Sequence, residues 1–367
     1  MAAEALLDVT PLSTAHGLRG IGAAVRGWLA GFAAMPEAER PHLLVRDGQR
    51  PPDGFVAETI AWPRWSAYRV PDPWPFLAVE RRVQALRRPG EVFQAVQPDL
   101  TPVGEHVVAF CHDLIPARYP RWYLEGATRV GQRAVYERHL DRLVRAQMIV
   151  TPSRATAHDL TELLDVDPER IRVVPHGVPE APPPEGDAPG GPYALFTGGL
   201  EPHKNSWTVI EAAARLRGPA RLVMTGTWSK RGALRVRARA AAVVAEDRIV
   251  PLGFVSAPRM SAIRRAALVS VVPSWAEGFG FPVVEAMAAG CPVLAADIPA
   301  LREAGGDAAR FLPPGDAAAW AAAIDELTED EGAREEMARA GRARVDELGW
   351  DRSAAGLRAV WDEVARA

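Results

Sequence analysis

The chain has 367 residues, and its 43 basic against 46 acidic side chains leave a formal charge of −3, so no bulk positive field points to nucleic acid. With 48% hydrophobic and 24% charged residues it reads as a folded globular protein, neither disordered nor a coiled coil, and its length suits two domains. The N-terminal segment carries Glu4 and Asp8 where a secretory leader needs positive charge, and no apolar run approaches the ~18 residues that span a bilayer. The expectation is a cytoplasmic protein, with peripheral contact at the inner membrane face left open because such contact needs only a basic or amphipathic surface.

Short β-rich runs separated by helical spacing follow one another along the chain, the pattern of parallel sheets built from βαβ units. A first series starts at Leu6, His42, Val107, Met148 and Ile171; a second starts at Tyr193, Arg221, Arg248, Leu268 and Pro292. Between them Gly177 to Pro192 is rich in Pro and Gly and has almost nothing to bury, which marks a linker. The fold class expected is α/β: two Rossmann-like α/β/α domains, residues 1–180 and 181–349, facing each other across a cleft. From Asp316 onward the chain reads as helices broken at Gly349. The last of them, 350–367, with Trp350, Leu357, Val360, Trp361 and Val364, is expected to pack back on the first domain. The two cysteines, Cys111 and Cys291, have no partner at metal or C-x-x-C spacing and read as reduced, half-buried thiols.

One stretch raises a chemical question. Pro273 to Asp297 reads PSWAEGFGFPVVEAMAAGCPVLAAD: two acids eight residues apart, across a loop with two glycines and a proline. Pro282 suits the first position of a helix and Gly290 its C-terminal cap, which puts Glu285 in the first turn and Glu277 in the loop. A helix N-terminus after glycines offers N–H groups and the positive dipole end to an anion. Dipole compensation alone would account for Glu285, but not for a second acid beside an anion site. If Gly278, Phe279 and Gly280 hold a diphosphate, the two carboxylates can accept hydrogen bonds from hydroxyls on either side of it. A nucleotide sugar, with ribose and hexose flanking a diphosphate, has that chemistry.

This stretch resembles the E-x7-E motif of the retaining glycosyltransferases of family 4, which have the GT-B fold. The resemblance continues through TGGLEPHKN (Thr197 to Asn205), LGFVS (Leu252 to Ser256), Ile298 to Asp316, Val150 to Leu160, Arg170 to Val178, FCHDLIPARYP (Phe110 to Pro120) and RGIGAAV (Arg19 to Val25). It is thinnest over Gln49 to Val103, where an acceptor is expected. It implies that Glu285 binds the ribose hydroxyls, that Glu277 touches the transferred sugar, and that Lys204 neutralises the leaving diphosphate. Many members carry an arginine several residues before that lysine; here Gly198 and Gly199 stand in the region, with Arg231 or Arg235 as candidate replacements.

The resemblance also implies that Gly20 and Gly22 form a glycine loop against the donor phosphate, Gly199 borders the donor, and Phe254 and Val255 meet the base through their backbone. It places His112 at the donor sugar and Asp113 at its side or toward the acceptor. Read alone, the Gly20 segment is a near miss for a dinucleotide fingerprint, because Val25 stands where a third glycine belongs. Two other features read as structural: Asp165-Val166-Asp167, which matches a metal-binding D-x-D, and the basic run Glu80 to Arg88, read as a solvated helix.

The expected enzyme is therefore a metal-independent hexosyltransferase that uses a nucleoside diphosphate sugar and a hydroxyl acceptor. GDP-mannose is the favoured donor, with UDP- and dTDP-sugars as alternatives; no metal or other cofactor is required. The competing readings are a sugar-nucleotide 2-epimerase of the same fold and a catalytically silent sugar-nucleotide-binding subunit.

Overall fold

The computed structural model describes residues 3–14, 17, 20–61, 74–97, 101–126, 129–243 and 245–367. The chain divides into two compact units, Met1–Gly177 with Gly349–Ala367, and Val178–Leu348.

In the first unit, strands β1 (Ala5–Asp8), β2 (His42–Arg46), β3 (Ala57–Ile60), β4 (Val92–Ala95), β5 (Val107–Phe110), β6 (Met148–Thr151) and β7 (Ile171–Val173) form one sheet in the order β3-β2-β1-β4-β5-β6-β7. Every pairing is parallel; β1 lies between its neighbours with Leu6 opposite both His42 and Phe93. Residues in β1, β4, β5 and β6 are buried along their whole length, as expected of parallel strands covered by helices on both faces.

The last helix, Trp350–Val364, docks on the helix Gly20–Ala33. Trp28 Nε1 donates to Ser353 Oγ at 3.1 Å, and the Phe32 and Trp361 rings stack at 5.1 Å and 14°. The approach is close enough that a Cβ on Gly27 would lie 2.1 Å from the Trp350 ring. Leu357, Val360, Trp361 and Val364 are all buried.

The second unit repeats the architecture with β8 (Tyr193–Thr197), β9 (Arg221–Thr225), β10 (Ile249–Gly253), β11 (Val269–Val272), β12 (Val293–Ala296) and β13 (Arg310–Leu312), in the order β10-β9-β8-β11-β12-β13, all parallel. Its core runs from Tyr193 and Leu195 through Val271 and Val283 to Trp320.

In each sheet the strand order reverses once, between β1 and β4 and between β8 and β11. In the second unit the crossover from β8 to β9 runs through the helix Ser206–Ala213 and that from β11 to β12 through the helix Phe281–Ala288, so the loops after β8 and β11 diverge from neighbouring strand ends. Ligands of open parallel sheets bind at the carboxyl ends beside such a reversal.

Three strands, β3, β4 and β13, lie outside the runs read from the sequence. Both cysteines are more enclosed than expected, at 3% and 2% exposure. Burial pushes the Cys291 thiol up to about 12 and the Cys111 thiol well above its ordinary value, so neither is a thiolate nucleophile at neutral pH. Among the described residues no helix is long and apolar enough to cross a membrane.

Candidate active site

The second unit places its chemistry at the β8/β11 reversal. After β8 the chain passes Gly198 and Gly199, makes one short 3₁₀ turn over Pro202–Lys204, and enters the helix Ser206–Ala213 through Asn205, which sits in the left-handed region at φ 52°. Asparagine is among the few side chains that tolerate that backbone. Asn205 also ties the loops together: its Nδ2 donates to the carbonyls of Pro273 (2.9 Å) and Pro314 (2.7 Å), and its Oδ1 accepts from Thr208 Oγ1. Trp275 N donates to His203 O at 2.7 Å. The loop after β8 is thereby fastened to the loop after β11.

That stitching brings Lys204 onto Glu277. The ammonium lies 2.7 Å from Oε1 and 2.9 Å from Oε2, and Ser274 Oγ donates to Oε1 at 2.7 Å. The Glu277 side chain is 8% exposed and that of Lys204 is 20% exposed. Burial alone would raise the Glu277 carboxyl; the adjacent Lys204 charge and hydrogen bonds, with His203 and Ser274, outweigh it and hold the carboxyl below its ordinary value. Next to the pair, burial and then the Lys204 charge bring His203 down to about 4, against the pull of Glu277 and Glu201. At neutral pH the site holds an ionised acid, its cation and a neutral imidazole.

The turn Gly278-Phe279-Gly280 leads into the helix Phe281–Ala288. Gly280 is its N-cap at φ 103°, and a Cβ there would meet Leu301 at 2.8 Å, so glycine is required twice over. Phe279 is buried, its ring edge-on to Phe281 at 5.3 Å.

The helix begins one residue earlier than its proline suggests. Pro282 is therefore the second helical residue and Glu285 the fifth, outside the first turn, which contains no acid. Dipole effects fade beyond that turn, so dipole compensation does not account for Glu285. Its partner is instead the Arg264 guanidinium, in the last turn of the helix Ala257–Ala266.

The remaining donor-side positions are spread along the same sheet. Gly198 N donates to Thr225 O at 3.0 Å, and Gly198 O accepts from Trp228 Nε1 at 2.9 Å; Gly199 follows directly. Phe254 and Val255 follow β10, two strands from β8, and Phe254 is 73% exposed. Of the candidate replacement arginines, Arg235 lies over the Trp207 ring at 5.6 Å and Arg231 is exposed.

In the first unit, Gly20 and Gly22 fall in the opening turn of the Gly20–Ala33 helix; Arg19 of the same motif lies outside the described residues. A Cβ on Gly22 would come within 2.3 Å of the Gly17 carbonyl oxygen. His112 and Asp113 follow β5. His112 Nε2 lies 3.1 Å from Val96 O, and a carbonyl can only accept, so this contact sets Nε2 as the protonated nitrogen. The ring packs 4.7 Å from Phe110 and 6.1 Å from His176. Asp113 Oδ1 accepts from Ile115 N at 3.0 Å, a local turn just before the short helix Ile115–Arg118.

Asp165 ends the helix Arg154–Leu164 in the left-handed region, and Asp167 caps the next short turn by accepting from Glu169 N; both are explained by local backbone. The basic run is not a plain solvated face. Arg82 donates to Ala61 O, Arg87 to the carbonyls of Glu91 and Glu105, and Glu80 pairs with Arg142 at 3.2 Å. The expected acceptor segment, Gln49 to Val103, lies in part, at 62–73 and 98–100, outside the described residues. No cluster of three metal-ligating side chains occurs among the described residues.

Sequence reading did not anticipate Arg264, Asn205, His203 or Ser274. Only Asn205 had a local signal, a polar residue directly before a helical run.

Two family models match the chain: "Glycosyltransferase Family 4" over residues 34–181 and "Glycosyl transferases group 1" over residues 178–344. A D-inositol 3-phosphate glycosyltransferase of Acidothermus cellulolyticus is 32% identical over 64% of this chain and 56% of its own length. The chain thus spans little more than half of such curated relatives. An O-antigen chain mannosyltransferase B of Escherichia coli is 26% identical over 67% of this chain and 68% of its own. Among solved structures, Anabaena HepE in complex with UDP-glucose superimposes with a TM-score of 0.68 at 15% identity, over 97% of this chain and 99% of that one. The fold held in common is GT-B.

Proposed function

Because this chain belongs to glycosyltransferase family 4, we propose that it transfers a hexose from a nucleoside diphosphate sugar to an acceptor hydroxyl, with retention at the anomeric carbon. The observation that carries the proposal is the Lys204–Glu277 pair at the β8/β11 reversal. Breaking the glycosyl–phosphate bond leaves negative charge on phosphate oxygens. An ammonium already fixed beside them stabilises that charge more in the transition state than in the ground state. Lysine has three donor hydrogens; Glu277 occupies its face of the ammonium and leaves donor capacity for a phosphate oxygen. A fixed cation in this place also makes a bound metal unnecessary for the leaving group.

Glu277 then serves the sugar. Lys204 bonds to both its oxygens and Ser274 to one, which commits much of its lone-pair density and suits it to accept a hydrogen bond from a sugar hydroxyl. A carboxylate bound in this way is a weak nucleophile, so the favoured route is attack on the same face as departure. The acceptor proton passes to a leaving phosphate oxygen while the anomeric centre takes oxocarbenium character. Glu285 is assigned to the ribose, the turn 278–280 to the diphosphate, Gly20, Gly22 and Gly199 to the donor's borders, Phe254 and Val255 to the base, His112 to the hexose and Asp113 to the acceptor side.

A nucleotide-sugar donor agrees with the UDP-glucose complex of the structural neighbour, and mannose agrees with the name of the E. coli relative. Thermal-shift screening against GDP-, UDP- and dTDP-sugars identifies the donor, because a ligand of the folded state raises its melting temperature. Proton NMR of the product then reads the anomeric configuration. An inverted product, or a sugar that stays on the nucleotide as in an epimerase, overturns the proposal.

A further inference from the structure

Both acids of the site arrive with a cation, and the second cation has no role yet. Arg264 Nη2 donates to Glu285 Oε2, the two side chains being 12% and 24% exposed. Among the described residues Glu285 Oε1 carries no hydrogen bond, and the guanidinium, which also lies near the Cys291 thiol, has no other hydrogen-bond partner. An arginine whose task was only to clamp two helices would be expected to grip both oxygens in the bidentate geometry that gives the strongest pair. Here the contact uses one oxygen and leaves the other open.

We infer that Arg264 is a positioning residue for nucleoside recognition: it fixes the Glu285 carboxylate so that Oε1 is presented to the vicinal hydroxyls of a ribose. The inference rests on the donor-site reading above. Two physical effects support it. A carboxylate beside a bound diphosphate repels it, and the Arg264 charge cancels that repulsion, as Lys204 does for Glu277. A side chain held by a charge-assisted hydrogen bond also keeps one rotamer, so a ribose finds its acceptor in place and less ordering is required on binding. The ligand class is a ribonucleoside diphosphate, in preference to its 2′-deoxy counterpart.

The test uses GDP, UDP and their 2′-deoxy forms as probes, with dissociation constants from calorimetry for the intact chain and for Arg264→Met and Arg264→Lys. Arg264→Met keeps the length of the side chain but removes its charge. It is expected to weaken the preferred ribonucleotide about tenfold, the effect of losing one good hydrogen bond to a charged group. The 2′-deoxy form should weaken much less, so the preference collapses. Arg264→Lys should recover part of it, and kcat at saturating donor should be unchanged in both.

Equal weakening of ribo- and deoxy-forms, or wild-type constants in both variants, overturns the inference while leaving the donor site intact. If Arg264→Met does not fold, Arg264→Lys decides alone: an unchanged ribose preference overturns the inference, and a reduced one supports it. An unmodified chain that binds neither GDP nor UDP overturns the donor-site reading itself, and this inference with it.

Discussion

Lys204 and Glu277 are 73 positions apart in sequence, yet the ammonium is within 2.9 Å of both carboxylate oxygens. The contact spans the two loops that part at the sheet's reversal, so it both shapes the site and charges it. Lys204→Ala should lower kcat about 100- to 1,000-fold, the usual effect of removing one charge-stabilising donor, with a smaller change in donor KM. It should also destabilise the unit, because Glu277 would be left buried without its cation. Steady-state kinetics with a melting curve on the same sample checks both. A double-mutant cycle with Glu277→Gln separates them, since the stability loss should shrink when the acid is removed too.

Gly280 offers a test of backbone rather than charge. Its φ is 103°, and a Cβ at this position would lie 2.8 Å from the Leu301 side chain. Gly280→Ala is therefore destabilised twice, by an unfavourable conformation and by a displaced neighbour. A loss of about 1–3 kcal/mol is expected, read as a lower denaturation midpoint, together with weaker binding of the nucleotide sugar. Gly278→Ala, where φ is not positive, should cost less stability. Equal effects at both positions would refute the conformational account.

Much of this was legible in the sequence. Continuous apolar runs such as Leu6-Leu7 and Val107-Val108-Ala109-Phe110 declare buried parallel strands, because both faces of such a strand are covered. The strands that escaped notice lack that signature for identifiable reasons. β13 is a three-residue edge strand that begins with an exposed Arg310, and β3 is likewise an edge strand of its own sheet and only partly buried. β4 is central but contains Gln94, fully buried and yet satisfied: it donates to Ala95 O and accepts from Trp361 Nε1. A polar residue in a core strand hides the strand from any apolar pattern.

The site divides in the same way. Lys204, Glu277 and Glu285 stand out through their motif, whereas Arg264 stands in the pair Arg264-Arg265, and nothing local says which of the two turns inward. The one-residue error at the start of the Phe281 helix placed Glu285 in the first turn, where dipole compensation hid its need for a partner.

The histidines predict the response to acid. Burial, then neighbouring cations, bring His203 and His139 down to about 4, and burial takes His176 well below its ordinary value. A depressed imidazole takes its proton in the unfolded chain before it does in the folded one. Its contribution to stability is therefore complete above the ordinary histidine value of about 6.5 and is lost as pH falls from there toward 4. The melting temperature should drop between about pH 7 and pH 5, before the Glu277 pair begins to titrate at lower pH. His139→Gln should flatten that slope, and a slope unchanged in the variant would show that His139 does not carry it.

The C-terminal helix makes the most direct packing prediction. Trp361 is fully buried, stacked on Phe32 and bonded through Nε1 to Gln94 Oε1 at 3.0 Å. Trp361→Phe keeps most of the apolar contact but strips a buried amide oxygen of its donor, for which about 1–3 kcal/mol is expected. Trp361→Ala adds a cavity and should cost about 3–5 kcal/mol. If the Gln94 bond is the reason for the first loss, Gln94→Leu should lessen the effect of Trp361→Phe, because no buried acceptor then remains unsatisfied. Chemical denaturation of the unmodified chain, Trp361→Phe, Gln94→Leu and the double variant measures this directly. Additive losses would mean that the indole acts through volume alone.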